Sequence, residues 1–480
     1  MLAGPRKHFI NGQWVDGHRA QFFPSLDPAT GERLAELARG DSLDIAEAVA
    51  AARGAFGQWQ FSDGLARGRL LGVVAQKIRA EAQELARLES LDTGKPLSQA
   101  RTDVEVASRY FEFYSGVADK IGGETIPVPG PFLDYTGREP LGVCAIIIPW
   151  NYPLQIGARA IAAPLAAGNT VVLKPAEEAS LSVLELARIT ADAGFPPGVV
   201  NVVTGYGDEA GAPLASHRQI NHLTFTGSVE IGKKVAAQAA ANVVPVTLEL
   251  GGKSPNIVFA SADLPRAVPI IVRSILQNAG QTCSAGSRLL VEDAICDEVM
   301  ARVLEQFQSV SIGPGIDDRQ LGPLISAQQK ARVLRYLTEA ADQGLRISQA
   351  PSLPQELARG NFVAPTMLHD VPLSHALVQE EIFGPVVTVT RFGAEEEAIR
   401  LANGTEYGLV AAVWTEHVAQ AHRVARRIHA GQVFVNTYGA GGGVEMPFGG
   451  YGQSGYGREK GLEALRHYTQ VKNISVYVGD

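Results

Sequence analysis

The chain predicts an α/β protein built on a parallel, doubly wound sheet, and three observations carry that expectation. Short apolar strands alternate with helical segments between residues 141 and 252. The connections between them are short, which places successive strands side by side with helices over both faces. Finally, 480 residues exceed what one compact core accommodates, and a second alternating stretch follows residue 252.

Taken in order, the opening HFINGQWVDG reads as a hairpin with Asn11-Gly12 as its turn. Residues 42–93 read as two helices, with Ala, Leu and Arg at i, i+3 and i+4. VCAIII (143–148) is a buried strand and 154–167 a helix; TVVLK (170–174) is a strand and 180–193 a helix. VVNVV (199–203) and HLTFT (222–226) are further strands, 228–241 is a helix, and VTLEL (246–250) closes the series. Beyond it come a helix before Cys283, a strand at 287–292, helices at 297–310 and 327–343, and strands at 386–391 and 431–436. Segments 117–134 and 467–478 are strand-like and fit neither alternating region. Paired antiparallel, they form an arm whose open edges need a partner subunit.

Composition narrows the function. A formal charge of −8, with no long basic run, argues against nucleic acid or an acidic membrane as partner. Cys144, Cys283 and Cys296 cannot all pair and show no metal-ligand spacing, so no metal is expected. The first residues lack the apolar core of a signal peptide. The most apolar stretch, 141–173, is interrupted by Pro149, Asn151, Pro153 and Arg159, and a span would leave Arg159 in hydrocarbon at roughly 2.5–3.5 kcal/mol. A buried strand followed by a buried helix explains it better, and a reducing cytoplasm is the expected compartment.

Three residues stand out chemically. Cys283, in GQTCSAG, is flanked by small residues (Gly280, Thr282, Ser284, Gly286) that let a ligand approach the backbone. A thiolate in so open a position suits covalent attack, whereas Cys144 and Cys296 read as structural. Glu249 ends an apolar strand just before a Gly pair. It is either an edge carboxylate facing water or a general base, since ligands of open α/β sheets bind at the strands' carboxyl ends. Asn151, in PWNYP, is stiffened by two prolines and is either a turn residue or an oxyanion donor. GYGDEAG (Gly205, Gly207, Gly211) departs from GxGxxG; Gly227-Ser228 sits between strand and helix, where N–H groups meet phosphate; Lys174 and Glu177 lie at another strand end, where a ribose-binding acid is found.

These segments together resemble the aldehyde dehydrogenase superfamily over nearly the whole chain. PWNYP, LKPAEE, FTGSVEIG, LELGGKSP, GQTCSAGSR, EEIFGP and MPFGGYGQSGYGRE occur in the family's order and at its usual separations. The resemblance implies that Cys283 is the nucleophile, Glu249 the base, and Asn151 with the Cys283 N–H the oxyanion hole. It places Lys174 and Glu177 at the adenosine ribose (Lys174 counting with the catalytic groups too), Ser228 at the pyrophosphate, and Glu381 and Phe383 at the nicotinamide end. Ile148, Trp150, Gly207, Gly211, Phe225, Gly227 and Leu250 complete the implied cofactor groove. It further implies an NAD(P)-binding Rossmann-like domain (1–116 and 141–250), a catalytic domain (251–450) and an oligomerisation arm (117–140 and 464–480), in a homodimer or homotetramer. Glu177 favours NAD, because a carboxylate repels a 2′-phosphate, although NADP is accepted by some relatives with that Glu. An intact Glu249 favours a free acid over a coenzyme A thioester; a CoA-acylating enzyme and a non-catalytic structural relative are the rivals.

For the aldehyde, the expected pocket comprises Tyr152, Arg159, Gln277, Thr282, Ser284, Tyr438 and Phe448. EMPFGGY and YTQVK resemble the betaine aldehyde branch, which boxes a trimethylammonium group in aromatic rings. Here Tyr438, Arg159 and Gln277 replace Trp at three positions of that box, and a guanidinium repels a quaternary ammonium. Arg159 also matches the arginine with which succinate-semialdehyde dehydrogenases hold a carboxylate, but Gln277 and Gly441–Gly443 stand where their other two anchors are usual. Arg159 is therefore a carboxylate anchor, the partner of a local acid, or part of a wide entrance. The Gly439–Gly443 run suggests an adaptable mouth and broad specificity.

Overall fold

The computed structural model describes residues 4–349, 353–439 and 443–479. Its main sheet has eight strands, and the five in the middle are parallel: Val200–Val202, Thr170–Lys174, Val143–Ile147, His222–Thr226 and Val246–Glu249. Every residue of the Thr170–Lys174, Val143–Ile147 and His222–Thr226 strands is buried, as expected where helices cover both faces. One edge is closed by the hairpin of His8–Ile10 and Gln13–Val15. Its two turn residues, Asn11 and Gly12, have φ of 51° and 76°, the left-handed pair that matches the twist of a hairpin. The other edge is closed by Gly455–Tyr456, antiparallel to the strand that carries Glu249, so that strand is not at an edge.

The second sheet has seven strands, and residues 255–435 supply all of them. Arg288 buttresses it from within: its guanidinium donates to the carbonyls of Lys253 (2.7 Å), Leu401 (2.8 Å) and Ala402 (2.7 Å) while the side chain is buried. Among the described residues no helix is long and apolar enough to cross a membrane.

Two expectations need correction. Residues 42–93 hold three helices rather than two: α1 (Ser42–Trp59), α2 (Gly64–Ala80) and α3 (Ala82–Thr93). Asp63 caps α2 through the Leu65 N–H, and Glu81 leaves helical geometry at φ −103°, ψ 15°, so one continuous periodicity conceals two breaks. A further helix, α4 (Leu97–Ser115), was not expected at all. Its buried face (Ala100, Val104, Ala107, Phe111, Tyr114) has helical spacing, but Gly94 and Pro96 obscured its start. It packs on α2 and on α5 (Pro153–Ala166), which is almost wholly buried.

The arm forms, with a shifted boundary. Its central strand is Phe132–Pro140, later than the expected 117–134, and it pairs antiparallel with Thr469–Tyr477 and with Thr125–Ile126. Residues 116–119 instead form the turn that follows α4. Replacing Arg288 with Met removes the guanidinium donor from the buried Lys253 and Ala402 carbonyls, at about 1–3 kcal/mol each before relaxation, while the Leu401 carbonyl keeps the Gly404 N–H. The urea midpoint followed by tryptophan fluorescence should fall for Arg288→Met, and Lys, lacking the planar fork, should restore only part of it.

Candidate active site

The two sheets meet at a cavity of about 740 Å³. Cys283, Glu249 and Asn151 all line it, as do Trp150, Gly227, Ser228, Glu381 and Phe383 and every residue of the expected substrate pocket: Tyr152, Arg159, Gln277, Thr282, Ser284, Tyr438 and Phe448. Ile148, Lys174, Glu177, Gly207, Gly211, Phe225 and Leu250 lie outside its wall. The Lys174 ammonium is held by Glu177 at 2.8 Å, so the two residues that the resemblance sets at the adenosine ribose stand together.

Cys283 follows a tight turn in which Asn278, Ala279 and Gly280 are all left-handed, at φ 49°, 54° and 74°. For the two non-glycine residues such backbone costs about 1 kcal/mol or more each, so neighbours must hold it. Gln99 of α4 accepts from the Asn278 N–H at 2.9 Å, and Gln281 Nε2 donates to the Asn278 carbonyl at 3.0 Å. Asn278 Nδ2 donates to the Asn151 carbonyl and Asn151 Nδ2 donates to the Gln281 carbonyl, each at 2.9 Å. This reciprocal pair fixes the amide of Asn151 beside the nucleophile. Tyr152 and Thr282 hydroxyls share a hydrogen bond of 2.7 Å, and Tyr438 donates to the Ser284 carbonyl at 2.5 Å. Close approach explains the Gly pair after Glu249: a Cβ on Gly252 would stand 2.5 Å from the Cys283 carbonyl, and one on Gly251 2.3 Å from Glu381 Oε2.

Electrostatics follow from enclosure. The Cys283 thiol is pushed up to about 12 by loss of water, with Arg159 pulling it back down and the Glu381 and Glu249 carboxylates adding to the rise. Burial also raises Glu249 well above the carboxylate range, reinforced by Glu459 and opposed by Arg159, Arg458 and Lys460. Neither Glu249 oxygen accepts a hydrogen bond among the described residues. Arg159 forms a buried ion pair with Glu459 and reaches Thr226 Oγ1 at 3.3 Å. Of the readings open for it, the local acid is the one found.

Sequence reasoning missed the contribution of α4, which gives the wall Gln99, Thr102, Asp103 and Val106, and it missed Arg273, Gln329, Arg332, Met446 and Lys460. The apolar spacing of α4 was available as a signal; nothing local marks the others. Residues 440–442 of the glycine run lie outside the described residues.

Several residues of the same cavity wall suit a dinucleotide. Ser228 caps the helix Val229–Ala240, whose N-terminus lies at the strands' carboxyl ends and favours a phosphate. Glu381 accepts from the Gly252 N–H at 3.1 Å and burial pushes it to about 7, so its carboxyl is an acceptor held at the cavity wall. The Trp150 and Phe383 rings meet edge to face with centroids 5.3 Å apart and form an apolar corner of the cavity wall.

A parallel sheet with an anion-binding helix end, joined to a second α/β unit that presents a thiol beside a carboxyl and an amide, defines a thiol-dependent dinucleotide oxidoreductase. The chain belongs to the aldehyde dehydrogenase family: the model of the "Aldehyde dehydrogenase family" matches residues 14–474. It is 44% identical to the hydroxyisobutyraldehyde dehydrogenase of Mycolicibacterium austroafricanum, over 99% of this chain and 94% of that one. It is 42% identical to the betaine aldehyde dehydrogenase of Bacillus subtilis, over 97% and 96% respectively. The crystal structure of the NAD+ complex of an aldehyde dehydrogenase from Bacillus cereus superposes with a TM-score of 0.97 at 41% identity, covering 100% of this chain and 98% of that one.

If enclosure controls the thiol as described, little thiolate forms at neutrality and its fraction rises with pH towards 12. Alkylation of Cys283 by iodoacetamide in the cofactor-free protein, followed by peptide mass spectrometry, should climb steadily from pH 7 to pH 10. A plateau below pH 8 would contradict the assignment.

Proposed function

We propose that this protein oxidises an aldehyde to the free carboxylic acid with NAD, through a thiohemiacetal and a thioester on Cys283. The observation that carries the reading is the convergence of Cys283, Glu249 and Asn151, from three separate parts of the chain, on one cavity that Ser228, Glu381, Trp150 and Phe383 also line. The division of labour follows the two sheets: residues 1–116 and 141–250 bind the cofactor, 251–450 carry the nucleophile, and 117–140 with 464–480 pair with another subunit in a cytoplasmic homodimer or homotetramer.

In chemical order, the Cys283 thiol releases its proton to solvent water, and the thiolate adds to the aldehyde carbon. The oxygen that becomes negative is met by Asn151 Nδ2 and the Cys283 N–H, donors already held in place before reaction. NAD, when bound, accepts the hydride released as the carbonyl re-forms to give the thioester. Glu249 then takes a proton from water, hydroxide adds to the thioester carbon, and the thiolate leaves and is reprotonated. The two Glu249 oxygens, free of hydrogen bonds among the described residues, suit that duty. Glu381 orients the ribose, Trp150 and Phe383 exclude water around the ring, and Glu177 disfavours a 2′-phosphate.

The relatives named for hydroxyisobutyraldehyde and for betaine aldehyde are about equally similar to this chain, so overall identity does not choose the aldehyde. The Arg159–Glu459 pair supports a polar substrate over a quaternary ammonium, because the Arg159 guanidinium occupies the position where that branch has an aromatic ring.

Cys283→Ala should abolish NADH formation; intact activity would end this reading. Asn151→Ala should lower kcat by about 10²–10³-fold, the usual loss of one oxyanion donor. A base works only when ionised, and burial holds Glu249 well above the ordinary carboxylate range, so hydrolysis should keep increasing with pH beyond the range in which an ordinary carboxylate ionises. Glu249→Gln should leave an NADH burst followed by slow turnover, and added coenzyme A should not accelerate the wild type. Glu177→Gln should raise kcat/KM for NADP relative to NAD.

A further inference from the structure

Two helices each turn one row of side chains into the cavity that holds Cys283. Helix α4 does so with the four residues named above. The helix Leu264–Leu276, with its cap, does so with Ile270, Arg273, Ser274 and Gln277. Both rows follow the i, i+3, i+4, i+7 spacing of a single helical face. The bond between the Asn278 N–H and Gln99 Oε1 joins the end of the second helix to the start of α4, so the rows border the same part of the cavity. Asp103, Val106 and Ser274 are buried, whereas Thr102, Arg273 and Gln277 are exposed. The rows therefore run from the interior to the rim.

Arg273 is the cation of that rim. Asp103 of the facing row is paired with Lys95, and Arg159 with Glu459. Arg332, the other exposed arginine of the wall, donates to the Glu381 carbonyl at 2.7 Å. The Arg273 guanidinium makes no ion pair and no hydrogen bond among the described residues. Its place in the last turn suits the helix dipole, but that benefit is the same whichever way round the helix the residue points. Here it lies on the row that faces the cavity. Gln277, whose N–H donates to the Arg273 carbonyl, stands between it and the turn that carries Cys283, so Arg273 lies one helical turn, about 6 Å, farther out.

We infer that Arg273 receives the far end of the substrate, and that the preferred aldehydes carry a carboxylate at the end of the chain opposite the carbonyl. The inference rests on the aldehyde-oxidising reading above and names the substrate class for that same site. The carbonyl carbon must enter the enclosed part of the cavity to meet Cys283, while the carboxylate stays at the rim in contact with water. A planar guanidinium offers it paired donors there, and no charge has to be stripped of solvent. Val106, Ile156 and Phe448, all buried in the same wall, supply apolar surface for the methylenes between the two ends. A short substrate cannot occupy both places at once, so discrimination grows with chain length.

The test uses the full chain with NAD and follows NADH absorbance. It compares kcat/KM for straight-chain aldehydes bearing a terminal carboxylate with kcat/KM for alkanals of equal length, in a series from succinic semialdehyde upwards. In the wild type the carboxylated-to-plain ratio should rise along the series, to about two- to fivefold in favour of the longest carboxylated aldehyde, the scale of a charge pair in contact with water. Raising the ionic strength should lower the ratio, because an exposed pair is screened. Arg273→Gln should remove the preference, Arg273→Glu should reverse it, and Arg273→Lys should keep part of it. Because Arg273 is exposed, these variants leave the core intact. A ratio that does not change with length in the wild type overturns the inference, and so does one that Arg273→Gln leaves unchanged because both rate constants move together. No NADH from any aldehyde of either series counts against the proposed function itself, a separate failure.

Discussion

The structure depends on a reciprocal hydrogen bond between two loops that belong to different sheets. Asn151 donates to the Gln281 carbonyl, and Asn278 donates to the Asn151 carbonyl. Each bond contributes about 1 kcal/mol net. Their geometric effect is larger than their energy, because they hold three consecutive left-handed residues in the turn that delivers Cys283. Without that clamp the Asn151 amide and the Cys283 thiol would move with separate bodies. Gln99 ties α4 into the same turn, so the helix that lines the pocket also braces the nucleophile.

Enclosure sets the electrostatics that the chemistry must work with. Loss of water outweighs the nearby cations at both Cys283 and Glu249, and each is held in its neutral form more firmly than in water. Arg159 is the cation that opposes this at both groups. Its buried pairing with Glu459 locates a positive charge within reach of thiol and base while keeping that charge itself compensated. The same pair gives the Arg159 charge a partner within the protein.

Much of this was legible in residue order. The strands at 143–148, 170–174, 222–226 and 246–250 were readable because strands buried on both faces are continuous apolar runs, and the structure places them within a residue of those bounds. Cys283, Glu249 and Asn151 were readable because each breaks its local pattern: a thiol among small residues, a carboxylate ending an apolar strand, an amide between prolines. Phe132–Pro140 was misplaced because it is a largely exposed strand whose identity comes from its partner, Thr469–Tyr477. α4 was missed because a Gly and a Pro before it looked like the end of helical structure rather than the gap between two helices.

The sequence by itself determined which side chains carry chemistry, which strands are buried, and the family to which the chain belongs. These are properties of short segments, in which periodicity and residue type act over a few neighbours. Only the tertiary structure decided that Arg159 pairs with Glu459, that Lys174 is held by Glu177, and that residues of α4 line the same cavity as Cys283. Those outcomes depend on which groups share a dry volume. Charges distant along the chain couple strongly once water between them is excluded, and no local pattern records that exclusion.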